Sequence, residues 1–386
     1  MRVEVKPELL RWAQERAGLA EDALTRKFPR LGAWEGGQAA PTLKQLEDFA
    51  RATRTPVGYF FLPAPPVERL PIPDFRTVGS EPLRRPSPDL LETVYLCQQR
   101  QEWYREHARA TREPRREFVG SATVDSDIVA TAEAMRATLG LDLAERRSLA
   151  TWEEALRRLV AHADAAGVLV MTSGIVGSNT HRPLDPDEFR GFALADDLAP
   201  LVFINGADSK SAQMFTLGHE LAHLWLGQSA LSDATAARTP SHKVERWCNQ
   251  VAAEMLVPLA EFRREAGGKG RAGVELVDEL KRLARIFKVS TLVVLRRMHD
   301  AGSLTWEELW QHYREEAERL RVLANQKRKD GGDFHRVLPV RVSPRLARAL
   351  VESTLEGRTS FTEALRLLGF KKMQTFHDLG HRLGVT

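Results

Sequence analysis

The chain has 386 residues, of which 43% are hydrophobic and 28% charged, the composition of a globular protein with a buried core. No stretch approaches the roughly 18 apolar residues of a membrane-spanning helix, and charges spread over the first 20 residues exclude the apolar core of a signal peptide. The sequence therefore predicts a cytoplasmic protein without a membrane partner. Its two cysteines are too few for a disulfide framework or a cysteine-based zinc site, so any metal must be held by histidines and carboxylates.

The N-terminal 62 residues predict a compact run of short helices. Pro7 marks a helix start and Gly18 its end, and a second helix is expected over about residues 20–28. Thr42 suits the N-cap of a further helix over Leu43–Ala52. Helix, turn and helix at this spacing is the pattern of a small DNA-binding bundle.

Four side chains around the predicted turn are candidates for contacts with nucleic acid: Arg26, Lys27, Arg30 and Gln38. Residues 1–62 carry 10 Lys+Arg against 8 Asp+Glu, which is a weak positive charge for a DNA-binding module. The alternative is a helix-turn-helix that docks a partner protein.

A proline-dense connector follows, with prolines at 63, 65, 66, 71 and 73, and it cannot be helical. The next segment predicts one long helix over about residues 88–116. From about residue 120 the pattern is mixed, with helices expected near 125–138 and 151–166. Two short apolar, β-rich runs predict strands, Gly167–Met171 and Leu201–Ile204.

Helices dominate again to about residue 318, and Gly331-Gly332 marks a break before a basic tail. Residues 321–386 hold 13 Lys+Arg against 6 Asp+Glu, an asymmetry that suggests an anionic partner such as DNA. The alternatives are a solvated helical surface and a helical cap on the preceding domain. The whole pattern predicts an α+β, mostly helical fold with a small sheet.

The strongest chemical signal is His219-Glu220-Leu221-Ala222-His223. On a helix, positions i and i+4 share one face, so both imidazoles can bind one Zn²⁺ while Glu220 lies beside the open coordination position. Glu220 is the only charge between Met214 and Leu226, so this helix is expected to be buried. Two hydrogen-bonded core histidines are the alternative.

A catalytic zinc site needs a third protein ligand, for which Glu245 and Glu254 on a later predicted helix are candidates. Nine residues at about 100° each place them on opposite faces, so only one can reach the metal. Glu245 shares its face with residues that carry no long charged chain, whereas Glu254 lies near Arg246 and Gln250 and suits a solvated or partner-bound carboxylate.

The predicted strand over residues 200–205 lies just ahead of this helix in sequence. As an edge strand it could pair antiparallel with an extended peptide substrate, and as a core strand it could not. His181 and His242 flank the motif in sequence and are either oxyanion-stabilising or structural histidines.

These motifs together resemble the ImmA/IrrE metallopeptidases. The resemblance rests on the motif at 219–223, its approach Ala212–Leu217, the later Glu245 with Asn249–Pro258, and the upstream runs 179–192 and 199–205. The N-terminal residues resemble the Xre-type helix-turn-helix that often precedes this peptidase, and the chain departs from the family pattern at Trp247 and Val251.

The resemblance implies a zincin-like, zinc-dependent endopeptidase with ligands His219, His223 and Glu245 and general base Glu220. It implies four regions: a helix-turn-helix domain over 1–62, a connector and helix over 63–119, the peptidase domain over 120–318 and a basic helical extension over 319–386. The implied substrate is a repressor-type transcription factor or the product of a neighbouring gene, in stress or mobile-element regulation.

A second function remains open at this point. The chain could be a DNA-binding regulator or an antitoxin-like component whose metal site is structural or sensory. The intact motif favours the peptidase, because a purely structural zinc site does not require Glu220.

Overall fold

The computed structural model describes residues 2–19, 21–75, 85–232, 242–267, 276–327 and 341–385. The chain forms two compact units. Unit 1 comprises Met1–Pro71 and Ser80–Val94, and unit 2 comprises Ile72–Gly79 and Tyr95–Thr386. The predicted break at Gly331-Gly332 lies outside the described residues.

Unit 1 is built from short helices around one apolar core. They are α1 (Pro7–Ala17), α2 (Glu21–Lys27), α3 (Leu31–Glu35), α4 (Leu43–Ala52) and a 3₁₀ helix (Val57–Phe61). Thr42 is the predicted N-cap of α4: its hydroxyl accepts the Gln45 backbone N–H while the Gln45 side chain accepts the Thr42 N–H. The core includes the buried residues Leu10, Phe49 and Phe60.

Helix α5 (Pro88–Ala110) runs from unit 1 into unit 2 and is shorter than the predicted helix over 88–116. Two residues beyond its end, Arg112 has a positive φ of 55°. Pro114 disfavours a helical conformation at Glu113, so the helix cannot continue through this turn.

Unit 2 is mostly helical. Its helices before the C-terminal region are α6 (Ile128–Leu139), α7 (Leu143–Ser148), α8 (Trp152–Ala165), α9 (Lys210–Trp225), α10 (Lys243–Leu256), α11 (Leu259–Ala266), α12 (Leu276–Phe287), α13 (Thr291–Asp300) and α14 (Trp306–Lys327). Among the helices that the structure describes, none combines the length and the apolar character needed to cross a membrane. Together with the small sheet of unit 2, they confirm the predicted α+β, mostly helical fold.

The sheet has four strands: β1 (Leu169–Ser173), β2 (Gly191–Leu194), β3 (Leu201–Asn205) and β4 (Ala230–Ser232). Their order is β1-β3-β2-β4, with β1 and β3 parallel and the other pairs antiparallel. β1 starts later than predicted because Gly167, with a φ of 98°, still belongs to the turn after α8.

Of the two alternatives for the strand near residues 200–205, the structure shows the core strand, because β3 is paired on both sides. Strand order depends on contacts between distant segments, which the local pattern of a single strand does not report. Within the four strands, β4 is the edge next to β2.

The C-terminal region contributes α15 (Pro344–Leu355), α16 (Phe361–Leu368) and α17 (Met373–Leu383). Before α15, the Ser343 hydroxyl donates to Asp164 Oδ1 at 2.8 Å, and Arg345 Nε donates to the Asp164 carbonyl at 3.0 Å. The buried Arg100 on α5 donates to the Leu367 carbonyl at 2.9 Å. These contacts pack the region against the rest of unit 2, as the cap alternative expects.

Candidate metal centre

Helix α9 carries three of the site side chains in the interior of unit 2. Ser209 caps its N-terminus by accepting the Ala212 N–H, and Glu220 is the only Asp, Glu, Lys or Arg from Met214 to the end of the helix. His219, Glu220 and His223 are each 0% exposed. Buried polar groups of this kind are costly unless they find partners, so their neighbours determine what the site can do.

Helix α10 supplies a carboxylate to the two imidazoles. Glu245 Oε2 lies 3.2 Å from His219 Nε2, and Glu245 Oε1 lies 3.0 Å from His223 Nε2. The two Nε2 atoms are 3.1 Å apart. Among the described residues, this is the group of three His, Cys, Asp or Glu side chains that could hold a metal ion.

Two glycines allow the close packing that brings these groups together. A Cβ on Gly218 of α9 would lie 3.1 Å from Met255 Cε and 3.4 Å from Ala252 Cβ, so the absence of a side chain at Gly218 lets α10 pack closely on α9. A Cβ on Gly191 of β2 would lie 2.9 Å from the Phe203 carbonyl oxygen and 3.1 Å from Glu220 Cγ. The sheet therefore approaches α9 directly at Glu220.

The other candidate ligand, Glu254, lies apart from this group. Its Oε2 accepts a hydrogen bond from Arg297 of α13 at 2.9 Å, and both side chains are buried. It also accepts the Leu259 backbone N–H. A solvated or a partner-bound carboxylate was expected at this position. The structure shows the partner-bound one, and Arg297 is a partner.

Asn249 and Ser232 contact the histidines and were not predicted as site residues. Asn249 Oδ1 lies 2.9 Å from His219 Nδ1, and a hydrogen bond from Nδ1 to this oxygen selects the neutral tautomer whose Nε2 can bind a metal. Ser232 Oγ lies 3.2 Å from His223 Nε2. Asn249 follows Glu245 by one helical turn, and this spacing is the signal that could have identified it.

The electrostatics of the group suit a cation. Burial raises the pKa of Glu220 to about 8. Burial also opposes ionisation of Glu245, but the imidazoles of His219 and His223 outweigh it and hold the pKa of that carboxyl below its usual range. Among the described residues, neither Glu220 oxygen makes a hydrogen bond of regular geometry, although the nearby Ser232 hydroxyl offsets part of the rise in its pKa.

The donor set of two imidazoles and one carboxylate fits Zn²⁺, for which three protein ligands are typical of a catalytic site. A dication there would also stabilise the ionised form of the adjacent buried carboxylate. The residues present therefore fit the metal that the motif implies.

The other residues singled out from the sequence lie beside the triad or away from it. His242 is exposed and stacks on Phe75, with ring centroids 4.4 Å apart, whereas Phe75 lies 6.3 Å from His223. His181 is exposed, and no described contact joins it to the triad. The four candidate nucleic-acid contacts are all exposed, at the end of α2 and around α3: Arg26, Lys27, Arg30 and Gln38.

Replacing Gly191 with alanine is expected to lower the free energy of unfolding by about 1–3 kcal/mol, because the new methyl group overlaps a backbone carbonyl and crowds Glu220. Chemical denaturation measures this change. Gly32→Ala is the control, because a Cβ there meets nothing within 4 Å. Equal stability of Gly191→Ala and the wild type would show that β2 does not pack tightly on α9 at Glu220.

Comparisons with known proteins agree with this location of the site. Residues 342–382 match a family described as a domain of unknown function (DUF8813). A search of curated proteins finds no match. Residues 163–299, which include the triad and Glu220, match the Peptidase_M78 family model, described as an IrrE N-terminal-like domain. This part of the chain is therefore similar to the ImmA/IrrE-type peptidases, as its motifs imply.

Proposed function

We propose that the protein is a zinc-dependent endopeptidase that hydrolyses peptide bonds in a regulatory protein partner. One observation carries the proposal: two imidazoles and a carboxylate converge within 4.8 Å, and a second buried carboxylate, Glu220, lies on the same helix as the imidazoles. The match of residues 163–299 to a peptidase family supports it.

Bound Zn²⁺ would act as a Lewis acid and would lower the pKa of water, so that the water can lose a proton and attack a peptide carbonyl near neutral pH. His219, His223 and Glu245 would hold the ion, and Asn249 fixes the tautomer of His219. Glu220 takes the proton of the attacking water and delivers it to the leaving amine, which is general base followed by general acid catalysis. Its burial keeps competing solvent away from that proton.

The proposed substrate is a repressor-type transcription factor or the product of a neighbouring gene, in stress or mobile-element regulation. The likeness to ImmA/IrrE-type peptidases supports this choice. The N-terminal helices of unit 1 would recognise that partner or DNA, and the exposed Arg26, Lys27, Arg30 and Gln38 are available for the contact.

A second candidate is a regulator whose metal site is structural. The observation that favours it is the complete burial of the triad, because structural zinc sites are closed. Glu220 argues against it, since a structural site gains nothing from a second buried carboxylate next to its ligands.

Incubation of the zinc-loaded protein with the neighbouring-gene product, followed by mass spectrometry of the fragments, tests the proposal. The peptidase predicts discrete fragments that disappear after metal removal by a chelator and return when zinc is restored. Cleavage that continues in the metal-free protein would contradict it, and so would an intact partner at every zinc concentration.

A further inference from the structure

The triad has almost no exposed surface in this structure. His219 and His223 are 0% exposed and Glu245 is 2% exposed, yet a peptide bond must reach these groups to be cleaved. Among the described residues, the segment Pro73–Phe75 runs beside β4 and brings an aromatic ring to His223. We call Pro73–Phe75 the strap.

The strap pairs with the edge of β4 through two backbone hydrogen bonds. Leu231 N–H donates to the Pro73 carbonyl at 2.9 Å, and Phe75 N–H donates to the Leu231 carbonyl at 2.9 Å. Asp74 and Leu231 thus form a parallel bridge. The backbone N–H and carbonyl of Leu231 point away from β2, and both are therefore hydrogen-bonded to the strap.

β4 is the sheet edge that leads to the site. Ser232, its last residue, has its hydroxyl 3.2 Å from His223 Nε2. Extended peptides commonly bind proteins by adding a strand to an exposed sheet edge. A peptide that pairs with β4 at Leu231 would pass the triad, but the strap already holds that position.

Side chains hold the strap in place. The Phe75 ring stacks on His242 at 4.4 Å and lies 6.3 Å from His223 with an interplanar angle of 19°. Ile72, just before the strap, is buried. Pro71 and Pro73 restrict the backbone of this segment, which reduces the entropy lost when it orders on β4.

We propose that the strap is an internal inhibitory strand that occupies the edge of β4, where an extended segment of the protein substrate binds, and covers the metal triad. This inference rests on the proposed peptidase function. The strap leaves when the substrate segment takes its place on Leu231, so the two compete for one edge.

Competition of this kind predicts a particular kinetic signature. A substrate that binds only the open form has its apparent affinity reduced by the open fraction, whereas saturating substrate displaces the strap completely. Loss of the strap's anchor should therefore lower KM and leave kcat nearly unchanged. A residue that acts in the chemical step would change kcat instead.

The first experiment compares zinc-loaded wild type, Phe75→Ala and Phe75→Leu in the full chain. The probes are a quenched-fluorescent peptide library and the rate of zinc loss to an excess of chelator. Phe75→Ala should lower KM about tenfold and speed zinc loss about tenfold, with Phe75→Leu between it and the wild type. Val67→Ala is the matched control, since Val67 lies in the same connector, is 81% exposed and should change neither rate.

A second experiment locks the strap by the double substitution Asp74→Cys/Leu231→Cys. Bridge partners on neighbouring strands lie about 4.8 Å apart, within the range for a disulfide. The natural Cys97 and Cys248 are both buried and should not interfere. The oxidised form should lose zinc more slowly than the reduced form and cleave no peptide, and reductant should restore both rates.

The proposal is overturned if Phe75→Ala loses zinc at the wild-type rate, if Phe75→Ala lowers kcat, or if the oxidised and reduced forms of the double variant behave alike. The zinc-loss measurement does not depend on proteolysis. Absence of cleavage by every variant would therefore contradict the peptidase function, while zinc loss would still decide whether the strap covers the triad.

Discussion

Glu245→Gln is expected to reduce zinc binding from about one ion per chain to a level close to background. The amide keeps the size of the side chain but removes the negative charge that faces both His219 Nε2 and His223 Nε2. A neutral amide oxygen is a poor replacement for the carboxylate in a site of three protein ligands. Metal analysis after dialysis against a weak chelator measures the change.

Glu254→Gln is the matched control on the same helix. It should retain about one zinc per chain, because Glu254 pairs with Arg297 and not with the triad. It should instead lower the free energy of unfolding by about 1–3 kcal/mol, since the buried Arg297 loses one of its two carboxylate partners and keeps Asp300. Normal zinc affinity in Glu245→Gln, or zinc loss in Glu254→Gln, would refute the assignment of the third ligand.

Glu220→Gln is expected to retain zinc and to lower kcat by a factor of about 10²–10⁴, the usual contribution of general acid–base catalysis. Glu220 is not part of the ligand triad, so the metal content should not change. Glutamine fills the same space on α9 but cannot accept the proton of the attacking water. The measurement pairs zinc content with the initial rate of peptide cleavage.

The result would have a different meaning if both quantities fell together. A simultaneous loss of zinc and activity would make Glu220 a contributor to metal binding, contrary to the role assigned to it. Unchanged kcat in Glu220→Gln would leave no function for its buried carboxylate in catalysis.

The sequence predicted the helices of the site well, because both the apolar periodicity and the ligand spacing are local. The spacing of His219 and His223 fixes them on one face of α9 whatever the rest of the fold does. The opposite orientations of Glu245 and Glu254 likewise follow from α10 alone. The N-terminus of α4, with Thr42 as its N-cap, was also predicted from the sequence.

The sheet could not be predicted in the same way. β2 has four residues and β4 has three, which is too short for an alternating pattern to be recognised. The position of β3 in the sheet interior depends on β1 and β2, which pair with it on opposite sides.

Contacts between distant segments were also beyond the sequence. The parallel bridge of the strap to β4 joins Asp74 and Leu231, and neither residue carries a local signal of it. The contact between Asn249 and His219 likewise depends on how α10 packs on α9, which neither helix sequence reveals by itself. The three side chains of the candidate metal site could therefore be named from the sequence, whereas the contacts of Asn249 and of the strap could not.

The zinc content of the double variant His219→Ala/His223→Ala, measured beside that of the wild type, tests the central claim most directly. Both imidazoles are buried and face Glu245, so their removal leaves one carboxylate, which cannot hold the ion alone. The expected result is about one zinc per chain in the wild type and none in the double variant. Equal and full zinc occupancy in both proteins would contradict the account.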